Sequence, residues 1–149
     1  MVIVYTLENI SQHDLTIVPW GREYATNWIQ GFLDKNYDEG GLHSVRKVLY
    51  ELEPTPKRSD FVTLRPKGTF EHRFKAKLVK KHREAGNREY LALDFEDSEI
   101  VLAGPGHYLL QGRFEGKDRW SQIGKQNFGF SEVFVGEIRS EKIAFILTT

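Results

Sequence analysis

Apolar and polar residues alternate along most of the chain with a period of two, which is typical of strands that have one buried face. Residues 69–80 show it best: the even positions from Phe70 to Leu78 are apolar apart from His72, and the odd positions from Glu71 to Lys77 are charged. Similar segments, separated by turns rich in Gly, Pro, Asn and Asp, are 2–9, 15–19, 42–53, 60–64, 90–95, 100–102, 108–114, 133–138 and 143–147. The pattern predicts an all-β protein, an antiparallel β-sandwich of about 8–10 short strands.

Residues 20–41 fit this pattern less clearly. Three large aromatic residues recur four residues apart, and three aliphatic residues beside them do the same: Tyr24, Trp28, Phe32 and Ala25, Ile29, Leu33. That spacing predicts one short amphipathic helix near residues 22–33. Gly21 and Gly31 disfavour a helix, so a long excursion with a short strand near Gly31–Asp34 is the alternative.

A tyrosine near the start of a late strand makes the sandwich prediction more specific. In immunoglobulin-like sandwiches, such a tyrosine hydrogen-bonds back to the turn before it. Tyr108 follows the turn Ala103–Gly106 directly. We therefore expect an immunoglobulin-like sandwich, with an ordinary buried tyrosine as the alternative explanation of this residue.

Composition limits the classes of protein to which this chain can belong. At 149 residues it is predicted to form one domain, residues 1–149. It has no cysteine, which excludes disulfides, thiolate metal ligands and cysteine nucleophiles, and which fits a reducing compartment. Basic and acidic residues balance at 21 each, whereas a nucleic-acid-binding protein usually has a basic excess, so no nucleic-acid partner is expected.

Targeting signals are not predicted either. The N-terminal sequence MVIVYTLENISQ has no basic n-region, and Thr6 and Glu8 interrupt its apolar stretch, so it is not typical of a signal peptide. No window approaches the ~20 apolar residues of a membrane span. We expect no membrane partner and a cytoplasmic location.

None of the common catalytic templates fits the sequence. The five histidines include no pair four residues apart on a plausible helix and no His-Glu-x-x-His, and there is no Gly-x-Ser-x-Gly elbow or phosphate-binding glycine loop. We therefore predict no enzyme, no catalytic residues, no cofactor and no metal. His72 shares a strand face with apolar residues, and we interpret it as a hydrogen-bonded histidine at the core or its rim. The alternative is a small-ligand-binding or hydrolytic protein with an inter-sheet pocket near His72.

Two charged segments have simple interpretations. The carboxylates Asp94, Glu96, Asp97 and Glu99 lack the glycine and spacing of an EF-hand loop, so a solvated turn is favoured over a weak calcium site. The basic stretch Arg65–Arg88 has the charge to meet an acidic partner or phosphates. Carboxylates on the next strand favour ordinary cross-strand ion pairs instead.

The aromatic residues after Pro19 are the candidate partner-binding residues: Trp20, Tyr24, Trp28, Phe32 and Tyr37. Tryptophan and tyrosine dominate the energetics of protein interfaces, so these residues grouped at one end of a sandwich would form a recognition surface. The alternative is that they fold inward as a lid that closes the core.

Four segments together resemble a known family: Thr6–Asn9, Leu15–Gly21, Pro56–Leu64 with the turn Pro66–Gly68, and Gly106–Tyr108. They give, in order, Leu-x-Asn, Pro-Trp-Gly, Lys-Arg-x-x-Phe-Val-x-Leu and Gly-x-Tyr. This order resembles the immunoglobulin-like non-catalytic (pro-) domain of deuterolysin-type metalloproteases and, more loosely, bacterial intracellular proteinase inhibitors. The resemblance covers residues 2–115 and implies the fold and the binding role of that domain only, since the protease's zinc helix is absent. Residues 116–149 lie outside it, as additional C-terminal strands.

The functional expectation is a non-enzymatic protein-binding module, and the resemblance implies a proteinase inhibitor or inhibitor-like domain whose partner is a protease. A structural domain that forms homo-oligomers by edge pairing of Ile143–Leu147 is the other alternative. The sequence does not fix the oligomeric state.

Overall fold

The computed structural model describes residues 1–19, 27–33, 44–46, 55–84, 86, 88–95, 98–102 and 104–148. Within these ranges the chain is mostly β, as predicted, with one α-helix and a 3₁₀ turn at Arg58–Asp60. The elements are β1 (Val2–Glu8), β2 (Leu15–Ile17), β3 (Asn27–Leu33), β4 (Ser44–Arg46), β5 (Val62–Leu64), β6 (Thr69–Arg83), β7 (Arg88–Phe95), β8 (Ser98–Leu102), β9 (Gly106–Gly116), α1 (Asp118–Phe128), β10 (Gly136–Arg139) and β11 (Ile143–Leu147).

The first sheet is antiparallel, in the order β1-β6-β7-β8-β4. Its long strand β6 pairs with two strands: residues 69–75 pair with β1, and residues 76–83 pair with β7. At the change of partner, Ala76 exchanges both backbone hydrogen bonds with Met1, at 2.9 and 3.0 Å. The alternation predicted for residues 69–80 therefore belongs to the strand that holds this sheet together.

The second sheet is built on β9. Strand β3 pairs with residues 108–114 of β9, while β10 and β11 pair with residues 113–116 and 106–110. Some residues of β9 pair with β3 and also with β10 or β11. Strand β3 therefore lies along one edge of β9, and β10 and β11 lie along the other. Arg139 faces Arg113 and Ile143 faces Leu110, so the β10–β11 side has one extra residue, a β-bulge. Ser140 fills the bulge, since its amide donates to the Gly112 carbonyl at 2.9 Å and its Oγ accepts from the Gly112 amide at 2.9 Å.

The predicted helix near residues 22–33 is wrong where the structure describes it, because Asn27–Leu33 is a strand; residues 22–26 lie outside the described ranges. The four-residue spacing is the reason for the error. Four is an even number, so residues at i, i+4 and i+8 share one face of a strand as well as one face of a helix. The buried Ile29 and Gly31 occupy the other parity. The alternative of a strand near Gly31–Asp34 was closer.

The helix α1 was not predicted; its segment is mostly polar around Trp120. Trp120 is 1% exposed and packs with Val18, Phe61 and Val133 beside the small β2–β5 sheet. The helix ends at Gly129, whose φ of 71° is a left-handed conformation that glycine adopts without a steric penalty. At 11 residues α1 is short, and no helix in the described ranges has the length and apolarity needed to cross a membrane.

The main core lies between the two sheets. Its buried residues come from β3, β6, β7, β8 and β9: Ile29, Phe74, Ala76, Leu93, Phe95, Ile100, Leu102, Tyr108 and Leu110. Fully burying a large apolar side chain contributes about 1.5–3 kcal/mol, so this cluster is the principal source of stability. The predicted tyrosine hydrogen bond is confirmed: the Tyr108 hydroxyl donates to the Gly104 carbonyl in the preceding turn.

Candidate functional site

The structure describes only part of the predicted aromatic surface. Trp20, Tyr24 and Tyr37 lie outside the described residues. Trp28 and Phe32 are positions of β3, where their register partners on β9 are Arg113 and Leu109. The pairing of β3 with β9 therefore decides which residues surround these two positions.

Positions 28 and 32 belong to the face of the second sheet that is turned away from the core. Along β9, Tyr108, Leu110 and Phe114 are buried in the interior, so the alternate residues belong to the other face. On β3, position 29 is in the core, and positions 28, 30 and 32 alternate with it. We call this surface the outer face: positions 28, 30 and 32 of β3, His107, Leu109, Gln111 and Arg113 of β9, and Ala144 and Ile146 of β11.

The outer face combines apolar and hydrogen-bonding groups. Ile146 lies opposite His107 and is 63% exposed, which is unusual for an isoleucine in a paired strand. Arg113 Nε lies 3.4 Å from Glu137 Oε1, and Gln111 Nε2 donates to the Ser140 carbonyl at 2.9 Å. Aromatic, aliphatic and arginine positions beside fixed polar groups are the usual composition of a protein-binding surface.

The sequence did not identify the β9 and β11 residues of this face. The alternation along residues 108–114 and 143–147 predicts two strands, but it does not say which strands pair. The missing information was the register, because no local pattern says that Trp28 lies opposite Arg113 or that Ile146 lies opposite His107.

His72 lies at the rim of the main core. It is partly buried, with its ring centroid 4.4 Å from that of Phe74 and 5.8 Å from that of Tyr5. Burial raises the pKa of the Tyr5 hydroxyl above its usual value. These ring contacts agree with the predicted place of His72 at the rim of the core, where it packs on β6 against Tyr5 of β1.

A group of charged side chains lies on the opposite side of the molecule, where the first sheet turns a face away from the core. Lys81 Nζ donates to Asp94 Oδ1 at 3.2 Å and also to Glu99 Oε2. The Tyr90 hydroxyl donates to Glu99 Oε1 at 2.9 Å. Glu99 is 6% exposed, so this is a mostly buried carboxylate that accepts from a cation and a phenol.

Opposing effects set the ionisation of this group. Burial by itself would raise the pKa of Glu99, but the hydrogen bonds from Lys81 and Tyr90 outweigh it and leave that pKa lowered. The hydrogen bond to Glu99 raises the pKa of Lys81, and likewise that of Tyr90. At neutral pH, Glu99 and Lys81 therefore stay charged and Tyr90 keeps its proton. We assign this cluster of side chains a structural role in fixing the register of β6, β7 and β8.

This assignment predicts a pH-dependent effect of Glu99→Gln. A carboxylate with a lowered pKa stabilises the fold above its unfolded value of ~4.3, and this stabilisation is lost as the pH falls through the folded value. We expect the variant to lose about 1–2 kcal/mol at pH 7, typical of a charged hydrogen bond, and less at pH 3. Urea unfolding of the wild type and of Glu99→Gln between these two pH values measures the difference in stability. Glu141→Gln, at an exposed residue, is the control. A loss that stays constant with pH would contradict the assignment.

The structure shows contacts of the acidic residues at 94–99 and of the basic stretch Arg65–Arg88. Glu96 and Asp97 lie outside the described residues, and Asp94 and Glu99 both bind Lys81 rather than forming an open carboxylate site. Across the described ranges, no three histidine or acidic residues come together in a way that could hold a metal ion. In the basic stretch, Lys80 pairs with Glu89 at 2.7 Å, which is a cross-strand pair of the expected kind.

The outer face is thus the surface on which positions 28 and 32 of β3 pair with Arg113 and Leu109 of β9, with the exposed Ile146 on β11 at the other edge of β9. No protein-family model, no curated protein and no solved structure matches the chain.

Proposed function

We propose that this protein is a non-enzymatic protein-binding module that contacts its partner with the outer face. One observation carries the proposal: in the register of β3 against β9, positions 28 and 32 lie opposite Arg113 and Leu109, and the exposed Ile146 of β11 lies opposite His107 on the same face. Interfaces draw most of their binding energy from a few aromatic and arginine residues surrounded by apolar contacts, and this face has that composition.

The specific form that we propose is a proteinase inhibitor or inhibitor-like domain of an immunoglobulin-like sandwich fold, acting in the cytoplasm on a protease. The resemblance of residues 2–115 supports the inhibitor role. The Tyr108 hydrogen bond to the Gly104 carbonyl, together with a core packed between two antiparallel sheets, supports the fold type. The absence of cysteine supports the location.

Replacement of Trp28 by alanine tests the proposal. We expect the wild-type chain to capture a partner from its native host in a stoichiometric complex. The variant should bind that partner about 30-fold more weakly, since an interface tryptophan contributes about 2 kcal/mol or more. Isothermal titration calorimetry with the purified partner measures the dissociation constant, and circular dichroism checks the fold.

The matched control is Val4→Ala. Val4 is 41% exposed on β1, opposite Arg73, on a face of the first sheet turned away from the core. This variant should bind as tightly as the wild type. Loss of the fold in Trp28→Ala would mean that Trp28 is a core residue, and unchanged binding would place the interface elsewhere. For a protease partner, inhibition of peptide hydrolysis should weaken in parallel with binding.

A further inference from the structure

We infer that the chain pairs with a second copy of itself through β11, antiparallel and about a two-fold axis at Phe145. In the described part of the chain β11 pairs with β9 along one edge, and no other described strand pairs with it. An edge strand presents backbone N–H and C=O groups to another strand. This inference goes beyond the proposed function and does not depend on it.

The sequence of β11 carries no residue of the kinds that edge strands usually use to avoid pairing. Its sequence, Ile-Ala-Phe-Ile-Leu, contains no charge, no proline and no glycine. Ile143 is 58% exposed and Ile146 is 63% exposed, on opposite faces of the strand. The preceding strand β10 on the same edge is protected, because Glu137 and Arg139 form an ion pair at 2.9 Å and the bulge at Ser140 follows.

The sequence of β11 is self-complementary, which identifies the second copy as the occupant. With the two-fold axis at Phe145, Ile143 lies opposite Leu147 of the other copy, Ala144 opposite Ile146, and Phe145 opposite itself. Every cross-strand pair is then apolar, and aliphatic and aromatic pairs are the ones that stabilise antiparallel strands.

The flanking charges favour the same arrangement. In a parallel pair Lys142 would lie beside Lys142 of the other copy, and like charges directly opposite destabilise a sheet. In the antiparallel pair Lys142 lies opposite Thr148, and the two lysines are about 20 Å apart at ~3.3 Å per residue. A two-fold contact of this kind uses the same surface on both copies and closes at a dimer. It would also join the two outer faces into one continuous sheet surface.

Sedimentation equilibrium of the full chain over about 1–500 μM tests the inference. A five-residue edge buries less than a standard interface of ~1,600 Å², so we expect a concentration-dependent equilibrium of monomer and dimer. Ile146→Lys, or Ala144→Lys if the first variant does not fold, should weaken dimerisation at least 10-fold. Val135→Lys introduces the same charge at a residue that is 45% exposed outside β11 and should dimerise as the wild type does. A monomer at every concentration, or a dimer that both lysine variants of β11 leave intact, would overturn the inference.

The register has its own test, because the chain contains no cysteine. Under mild oxidation, a mixture of the A144C and I146C variants should form a mixed disulfide faster than either variant alone forms its own. Positions 144 and 146 lie opposite each other in the proposed dimer, and each is a diagonal neighbour of its own symmetry copy. Faster self-linking of A144C than mixed linking would contradict the axis at Phe145.

Discussion

Replacing Asn9 with alanine is expected to lower the free energy of unfolding by about 3 kcal/mol, because this buried side chain loses several hydrogen bonds together, one of them fully buried. Asn9 is 2% exposed and directly follows β1. Urea unfolding followed by tryptophan fluorescence or circular dichroism measures the change. A loss below 1 kcal/mol would mean that water replaces the side chain without cost.

The contacts of Asn9 explain the size of this effect. Its Nδ2 group donates to the carbonyls of His13 and Leu64, each at 2.8 Å. Its Oδ1 accepts from the amide of Ser11 at 3.0 Å and from the Ser11 hydroxyl at 2.7 Å. The side chain therefore fastens its own loop to the end of β5. Alanine would leave the Leu64 carbonyl in a buried site without this donor.

Asn9→Asp removes the Nδ2 hydrogen-bond donor while it keeps the shape of the side chain, so it separates the effects of the two. A carboxylate keeps the acceptor oxygen but places a second oxygen against the two carbonyls, so at pH 7 we expect a loss of about 4 kcal/mol. Burial and the carbonyls should raise the pKa of that carboxyl in the folded state above its unfolded value of ~3.9. Stability should therefore partly recover as the pH falls toward 3, since the protonated acid can donate one hydrogen bond.

Ser11→Ala is the matched control for both variants. Ser11 is exposed, and its hydroxyl bonds to Asn9 and to the His13 carbonyl at the surface, where water can replace it. We expect a loss of no more than about 0.5 kcal/mol. An equal loss in Ser11→Ala and Asn9→Ala would show that the loop, rather than the buried amide, determines the stability.

The parts of the fold that the sequence predicted are those where local alternation decides the structure. The even face of β6 carries Phe70, Phe74 and Ala76 into the interior as expected, because the alternation of side chains in a strand is fixed by its backbone geometry. The bounds of β11 were also predicted. The hydrogen bond of Tyr108 followed from its place after the Gly-Pro-Gly turn.

The parts that the sequence did not predict depend on contacts between distant segments. Trp120, Ile123 and Phe128 give α1 only a narrow apolar stripe, which Phe61 and Val133 complete from elsewhere in the chain. Gly129 follows the last turn of α1, but a glycine at the end of a segment does not identify a helix by itself. The outer face depends in the same way on the register of β3 and β11 against β9, which is set by packing across the whole sheet.

Gly116 at the end of β9 lies so close to Phe134 that there is no room for a Cβ atom. A Cβ at this position would lie 2.2 Å from the carbonyl oxygen of Phe134 and 2.7 Å from Cδ1 of its ring. The nearest atom belongs to the backbone, so the contact is relieved only by moving the segment that leads into β10. Gly116 also pairs with Gly136, the first residue of β10, so that movement would break the start of the strand pair.

We expect Gly116→Ala to lower the free energy of unfolding by about 2–3 kcal/mol, the usual cost of forcing an extra group into a packed site. Gly112→Ala, on the same strand, is the matched control. A Cβ there meets Ser140 Oγ at 3.5 Å, Tyr5 Cδ1 at 3.6 Å and Ile29 Cδ1 at 3.8 Å, which are ordinary van der Waals distances. Replacing this glycine should be neutral or stabilising by up to about 1 kcal/mol, because alanine reduces the entropy of the unfolded chain. Parallel urea titrations of the two variants measure the difference. If both glycines tolerate alanine equally, then the segment that leads into β10 does not pack against the end of β9 as closely as the contact of Gly116 with Phe134 requires.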